Sequence, residues 1–241
     1  MGSENSIFQI AGIQITYGLG RKSAVNKLDL ELRGGVSLGV LGLNGAGKTS
    51  TIRALLGMLR PSCGTIRVFD KKPGSVEIFR RIGFAPEDGL PPDYLSGEEY
   101  LRFVASFKIA DRKSRREEAL KLLEWFELPP TKRIRDYSKG MKRRIILAQA
   151  FLGNPDLLIL DEPLNGLDPI FIIRLRERID AFRQGGGSLM VSSHILNEIE
   201  KTCSEVAILH KGDLVCRATV ESLQKEFGSI ETAFASKIGK A

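Results

Sequence analysis

Cysteine, histidine and long apolar runs are what this sequence has least of, and each shortage removes a class of protein. Three cysteines, Cys63, Cys203 and Cys216, are scattered through 241 residues without a CxxC pair. That leaves no disulfide framework and points to a reduced compartment. The two histidines, His194 and His210, are too few for a histidine-rich metal site. Uninterrupted aliphatic stretches such as Leu157 to Leu160 are far too short to cross a bilayer. Met1 to Ser6 contains no apolar signal core. It does match the loose lipidation pattern M-G-x-x-x-S/T, which is short enough to arise by chance. Any meeting with a membrane is therefore expected on the cytoplasmic side, through another protein. Internal repeats and low-complexity tracts are also missing.

What is present is ordinary for a globular chain. Hydrophobic residues make up 42% and charged residues 27%, so disorder is not expected to dominate. The length suits one large domain, or a core carrying an inserted lobe, and needs no disulfide or metal to hold it. Lys and Arg number 36 against 29 Asp and Glu, a net charge of +7. That excess suggests an anionic partner; a nucleotide, a nucleic acid and lipid headgroups all qualify.

Residues 7–40 read as β-structure. Ile13 and Ile15, then Leu28, Leu30 and Leu32, then Val36, Leu38 and Val40 alternate with other residue types, the pattern of half-buried antiparallel strands. At 38–43 a short apolar strand enters a Gly-rich turn. Ile52, Leu55, Leu56 and Leu59 then recur at helical spacing. Residues 88–150 open with the chain breakers Gly89, Pro91 and Pro92 and continue as helices with long charged faces, the best candidate for an inserted helical lobe. A buried strand at Leu157 to Leu160, a helix around Ile170 to Arg183 and a strand at Ser188 to Ser192 follow. Ala207 to Leu209 and Leu214 to Cys216 flank a hairpin turn at His210 to Asp213. Strands alternating with helices predict a largely parallel α/β sheet.

Gly42-Leu43-Asn44-Gly45-Ala46-Gly47-Lys48-Thr49 matches G-x-x-x-x-G-K-S/T in full, between an expected strand and an expected helix, the context this phosphate loop requires. Glycines let backbone N–H groups turn toward phosphates, and the helix start adds positive potential. Lys48 is assigned to the β- and γ-phosphates and the Thr49 hydroxyl to Mg²⁺. Downstream, Leu157 to Leu160 is an apolar strand ending in two acids, Asp161 and Glu162. Asp161 is expected to hold the metal. Glu162 is placed to polarise an attacking water as general base.

Three further motifs follow the same order: Tyr137-Ser138-Lys139-Gly140-Met141, Pro163-Leu164-Asn165-Gly166-Leu167-Asp168-Pro169, and Ser192-Ser193-His194. The ordered set resembles the ATP-binding-cassette (ABC) ATPases from about Ile7 to Arg217. The fold this implies is α/β: a P-loop NTPase with a RecA-like core, an N-terminal antiparallel β subdomain and an inserted helical subdomain. The expected division is a nucleotide-binding core at about 1–87 and 151–220, a helical signature subdomain at about 88–150, and a C-terminal tail at about 221–241. The resemblance implies that Tyr17 lies against adenine, a contact of ~1–3 kcal/mol by analogy with base–aromatic stacking. It implies that Asn44, Gly45, Ala46, Gly47, Lys48, Thr49 and Ser50 hold ATP. Ser138, Lys139, Gly140 and Met141 would form the signature loop that meets ATP bound to a second copy. His194 would contact the γ-phosphate and orient the Glu162 side, and Asn165 and Asp168 would belong to the loop joining two sites across the dimer. His210 matches no motif and is read as a surface turn residue.

The sequence departs from the common family pattern at three places. Glu87 stands in Ile82-Gly83-Phe84-Ala85-Pro86-Glu87 where the family usually has Gln. A carboxylate can ligate Mg²⁺ but cannot donate an N–H. The signature is Ser-Lys-Gly-Met, and Asn165 replaces the usual Ser or Thr. Glu87 with Lys139-Gly140-Met141 looks like the exporter branch whose ATPase and membrane subunits are separate chains (drug, antibiotic, polysaccharide, lipid and sodium exporters). The basic cluster Lys132, Arg133, Arg135, Lys139, Lys142, Arg143 and Arg144 reads as a solvated helix face, or as a contact for headgroups or nucleotide. Only Tyr137 interleaves it, so nucleic acid is not the expected partner. The implied function is an ATP-hydrolysing transporter subunit on the cytoplasmic face of the membrane, paired with a second copy and a separate permease, using ATP and Mg²⁺. The rival is a soluble ABC ATPase acting on ribosomes or DNA.

Overall fold

The computed structural model describes residues 6–18 and 22–239. Two strands, β1 (Ser6–Tyr17) and β2 (Lys22–Arg33), pair antiparallel, and β3 (Ser37–Leu41) then leads through the Gly-rich turn into α1 (Lys48–Leu55). After β4 (Cys63–Val68) come α2 (Val76–Arg81) and β5 (Ile82–Ala85). Three helices follow, α3 (Gly97–Ala105), α4 (Arg112–Trp125) and α5 (Lys139–Ala150). The chain returns through β6 (Leu157–Asp161), α6 (Pro169–Gln184), β7 (Ser188–Ser193) and α7 (Leu196–Thr202). It closes with β8 (Glu205–His210), β9 (Asp213–Thr219), α8 (Val220–Phe227) and α9 (Ile230–Gly239).

The strands make two sheets. A small antiparallel sheet has the order β2-β1-β4, and a larger one has the order β5-β6-β7-β3-β8-β9. Within the larger sheet every pairing is parallel except β8 with β9. β6 explains why a central strand reads as an unbroken apolar run: both its faces are covered. Leu158 and Leu160 pack toward the helices of 97–150, while Leu157 and Ile159 pack toward the small sheet. Each such side chain contributes about 1.5–3 kcal/mol by leaving water.

The alternation at Val36, Leu38 and Val40 belongs to a different kind of strand from the one it suggested. β3 lies between β7 and β8 in parallel register, and all five of its residues are buried. The intervening residues are small because helix α7 and the Ser204 turn after it sit on them. A Cβ on Gly39 would lie 2.3 Å from Ile199 Cγ2, and the Ser37 hydroxyl meets Ser204 Oγ at 3.2 Å. Polar alternation here marks close packing instead of solvent.

Helix starts follow their caps. Ser96 and Glu99 form a reciprocal capping box on α3. Asp168 accepts from Phe171 N–H at 2.8 Å, with Pro169 in the first turn of α6. The C-terminal helices α8 and α9 bury Val220, Leu223, Ile230 and Ala233 against the helix-side core.

Candidate functional site

The C-terminal ends of β3, β6 and β7 carry the phosphate loop, the acid pair and His194 to one edge of the parallel sheet, where parallel α/β sheets place their ligand crevices. Gly47 adopts φ 105, and a Cβ there would lie 2.5 Å from Ala24 O. Only glycine fits that turn. Gly47 also caps α1 without a side-chain hydrogen bond, so the first amides of the helix face the cavity instead of a capping oxygen. The cavity has a volume of about 420 Å³ and is lined by Tyr17, the run Asn44 to Ser50, Glu87 and Glu162 among others.

Lys48 is buried. Its Nζ donates to Gly42 O at 2.7 Å and stands 3.3 Å from Glu162 Oε1. His194 Nδ1 lies 2.8 Å from the other oxygen of the same carboxylate, Glu162 Oε2, and the His194 N–H donates to it at 3.3 Å. Glu162 thus joins the phosphate-loop lysine to the histidine while remaining 4% exposed. The Glu162 backbone has φ 46, in the left-handed region. For a non-glycine residue that conformation costs about 1–3 kcal/mol and persists where the surroundings over-determine it.

The metal candidates separate into two groups. Thr49 Oγ1 donates to Asp161 Oδ2 at 3.1 Å, and Ser192 donates to Asp161 Oδ1. Among the described residues no group of three or more His, Cys, Asp and Glu could hold a metal by itself. One hydroxyl beside one carboxylate does suit Mg²⁺, a hard cation that takes most of its ligands from phosphate and water oxygens. Glu87 lines the same cavity, but its carboxylate accepts from Asn165 Nδ2 at 3.3 Å. The two departures Glu87 and Asn165 are therefore hydrogen-bonded to each other. Tyr17 stands at the cavity wall, its hydroxyl 3.1 Å from Ser50 Oγ and its side chain 40% exposed.

The signature residues lie elsewhere. Ser138 caps α5, accepting from Met141 N–H at 3.2 Å. Ser138 and Lys139 are exposed, Gly140 and Met141 are half-buried, and none of the four lines the phosphate-loop cavity. A Cβ on Gly140 would sit 3.5 Å from Gly166 O, so this loop adjoins the segment after the acid pair. Asp168 is committed within its own chain. It caps α6 and pairs with Arg144 Nη2 at 2.6 Å. The Phe171 N–H, and after it the Arg144 guanidinium, hold its carboxyl below the usual range.

The basic cluster is neither one solvated face nor one contact. Arg144 is half-buried, pairs with Asp168 and Glu127, and stacks over the Phe171 ring at 4.0 Å. Arg143 is buried against five backbone carbonyls, while Lys132, Arg133, Arg135 and Lys139 are exposed. Neither Arg143 nor the Ser192 hydroxyl was legible as a site group. An arginine inside a run of basic residues carries no mark of burial, and Ser192 owes its contact to the β6–β7 pairing.

The family model described as ABC transporter matches residues 25–165. An ABC transporter ATP-binding protein of Nostoc sp. is 38% identical over 193 residues, covering 78% of this chain and 58% of the relative. This chain therefore spans less than two thirds of that relative's length. A Nod factor export ATP-binding protein I of Rhizobium johnstonii is 35% identical over 223 residues, covering 90% of this chain and 70% of its own length. A solved ATP-binding subunit of an ABC transporter superposes with a TM-score of 0.88 at 28% identity, over 96% of this chain and 99% of that one. The fold is that of the P-loop ATPase cassettes.

Proposed function

The chain belongs to the ABC transporter family, and on that premise we propose that it is the ATP-binding and ATP-hydrolysing subunit of a transporter. The observation that carries this is the convergence of buried Lys48 and half-exposed His194 on the two oxygens of the buried Glu162 carboxylate, beside the phosphate loop.

The roles follow from the chemistry of each group. ATP phosphates occupy the cradle of Asn44 to Ser50, and adenine lies on Tyr17. Lys48 exchanges Gly42 O and Glu162 for phosphate oxygens. Thr49 and Asp161 hold Mg²⁺, with Glu87 on the adjoining wall. Magnesium, when bound, offsets the phosphate charge. The freed Glu162 carboxylate takes a proton from water aimed at the γ-phosphorus. His194 keeps that carboxylate in orientation.

Ser138 to Met141, exposed and off the cavity, complete the site of a second copy, with Asn165 and Asp168 at the seam. ATP bridging both copies then favours a closed two-fold dimer. The division into a core (1–87 and 151–220), a helical part (88–150) and a tail (221–241) follows this reading. A separate permease docks beside Glu87 and the stretch to Tyr100, at the cytoplasmic face. A neighbouring apolar hollow, lined by exposed Val76, Phe79 and Phe107 and by Gln149, which accepts from the Tyr100 hydroxyl, supports such a contact. No helix among the described residues is long and apolar enough to cross a membrane. Glu87, the Ser-Lys-Gly-Met signature and the name of the export relative support outward transport.

The test is steady-state phosphate release by the wild type and by Glu162→Gln. The variant should lose at least ~10²-fold in turnover and elute as an ATP-stabilised dimer. A wild-type protein without ATPase activity, or a variant turning over normally, sinks the reading.

A further inference from the structure

The signature helix carries a second device on its opposite side. Arg143 lies five residues after Ser138 in α5 and points away from the exposed loop. Its guanidinium meets backbone carbonyls from two segments, 86–87 and 161–163. Nη2 donates to Asp161 O at 2.9 Å and to Glu162 O at 2.8 Å. Nη1 donates to Pro86 O and, at 3.1 Å, to Glu87 O. Nε reaches Pro163 O at 3.4 Å. Five donors in a rigid fork thus face five carbonyls, the full capacity of an arginine. The residue is 8% exposed and its neighbouring charges are acids: Asp161, Glu87, Glu162 and Asp88. A buried cation is retained at a cost in desolvation unless every donor is satisfied and acids offset it, and both conditions hold here.

We propose that Arg143 is a positioning residue that sets the backbone of the acid pair and of the Glu87 loop from beneath the signature helix. Glu162 sits in the left-handed region at φ 46, so its peptide must be held from both sides. Ser192 does so on one side, its carbonyl and hydroxyl accepting the Glu162 N–H at 3.1 and 3.2 Å. Arg143 does so on the other, through the carbonyls of Asp161 and Glu162. The carboxylate direction follows from that peptide. Because the same guanidinium binds Pro86 O and Glu87 O, displacement of α5 moves the general base and the Glu87 loop together. This rests on Glu162 acting as the base of an ATPase.

The test compares wild type with Arg143→Met and Arg143→Lys by three measurements: binding of a fluorescent ATP analogue, kcat, and backbone hydrogen exchange without nucleotide. Arg143 touches no phosphate-loop residue. Arg143→Met should therefore lose on the order of 10²-fold in kcat through a misplaced base, with nucleotide affinity held within about threefold. Amides of 161–165 and 87–88 should exchange faster, with β3 and β7 unchanged. Arg143→Lys, with three donors on a point charge, should fall between the two, and it serves where the Met variant does not fold. Wild-type kcat and exchange in the Met variant overturn the proposal. So does an equal loss of affinity and kcat, the mark of a general packing role. A wild type without ATPase activity would fail the functional reading instead, while exchange still reports whether Arg143 holds the acid pair.

Discussion

The phosphate-loop corner and the signature corner each place a helix start behind a polar turn, and they are built oppositely. At the first, α1 begins at a glycine with no side-chain cap, Lys48 and Glu162 are buried and paired, and the buried Asp161 carboxylate accepts from the Thr49 and Ser192 hydroxyls. At the second, the Ser138 hydroxyl caps α5, and Lys139 is exposed and makes no ion pair among the described residues. The first corner is a closed network within one chain. The second is an unfinished surface beside the segment of Gly166. On the proposed function, the difference predicts that nucleotide binding and turnover separate: one chain should suffice for binding, and hydrolysis should need a partner brought against the signature corner.

Lys48→Ala should break the first corner most severely. It removes the cation expected on the phosphates and leaves Glu162 with His194 as its remaining side-chain partner. Affinity for ATP, measured by equilibrium dialysis, should fall on the order of 10²-fold, the worth of a hydrogen bond to a charged group. Unchanged affinity would remove Lys48 from the site. Gly140→Leu tests the second corner. A Cβ there is accommodated, meeting nothing closer than Gly166 O at 3.5 Å, and the half-exposed position leaves the rest of the side chain to the surface. ATP affinity of the isolated chain should stay at the wild-type value, while turnover falls by ~10²-fold and the ATP-dependent dimer disappears. Should single-chain affinity fall instead, the two corners serve one site and the contrast collapses. Ser138→Ala has the smallest expected effect on stability. It removes the α5 cap at about 1 kcal/mol, which for a chain of this length lowers Tm by ~2–4 °C, again without loss of single-chain ATP affinity. A Tm equal to the wild type would show that the cap is dispensable.

The groups legible in the sequence are those whose chemistry is local. Glycines at 45 and 47, Lys48 and Thr49 announce a phosphate turn because loop conformation and helix start are set within eight residues. Asp161 and Glu162 stand out because an apolar run ends on them. His194 is identifiable only through its order after both. Strands β4 and β5 carry no comparable signal. Cys63 to Val68 exposes four of its six residues, and Ile82 to Ala85 has only four residues. The Glu87–Asn165 hydrogen bond joins two residues that each looked like an isolated departure. Asp168 matched a motif that looks outward across a dimer, yet within the chain it caps α6 and pairs with Arg144.

Sequence alone determined the kind of chemistry here: a phosphate cradle, a carboxylate pair and a lone histidine in a set order, on alternating strands and helices. Tertiary structure decided which of those groups touch. Parallel pairing of β6 with β7 and of β7 with β3 brings strand ends more than a hundred residues apart to one sheet edge. Packing of α5 against that edge turns one of several basic residues into the buried support of the acid pair. The physical reason is range. Turn conformation and helix starts answer to immediate neighbours, whereas the burial of a charge depends on every segment that closes over it.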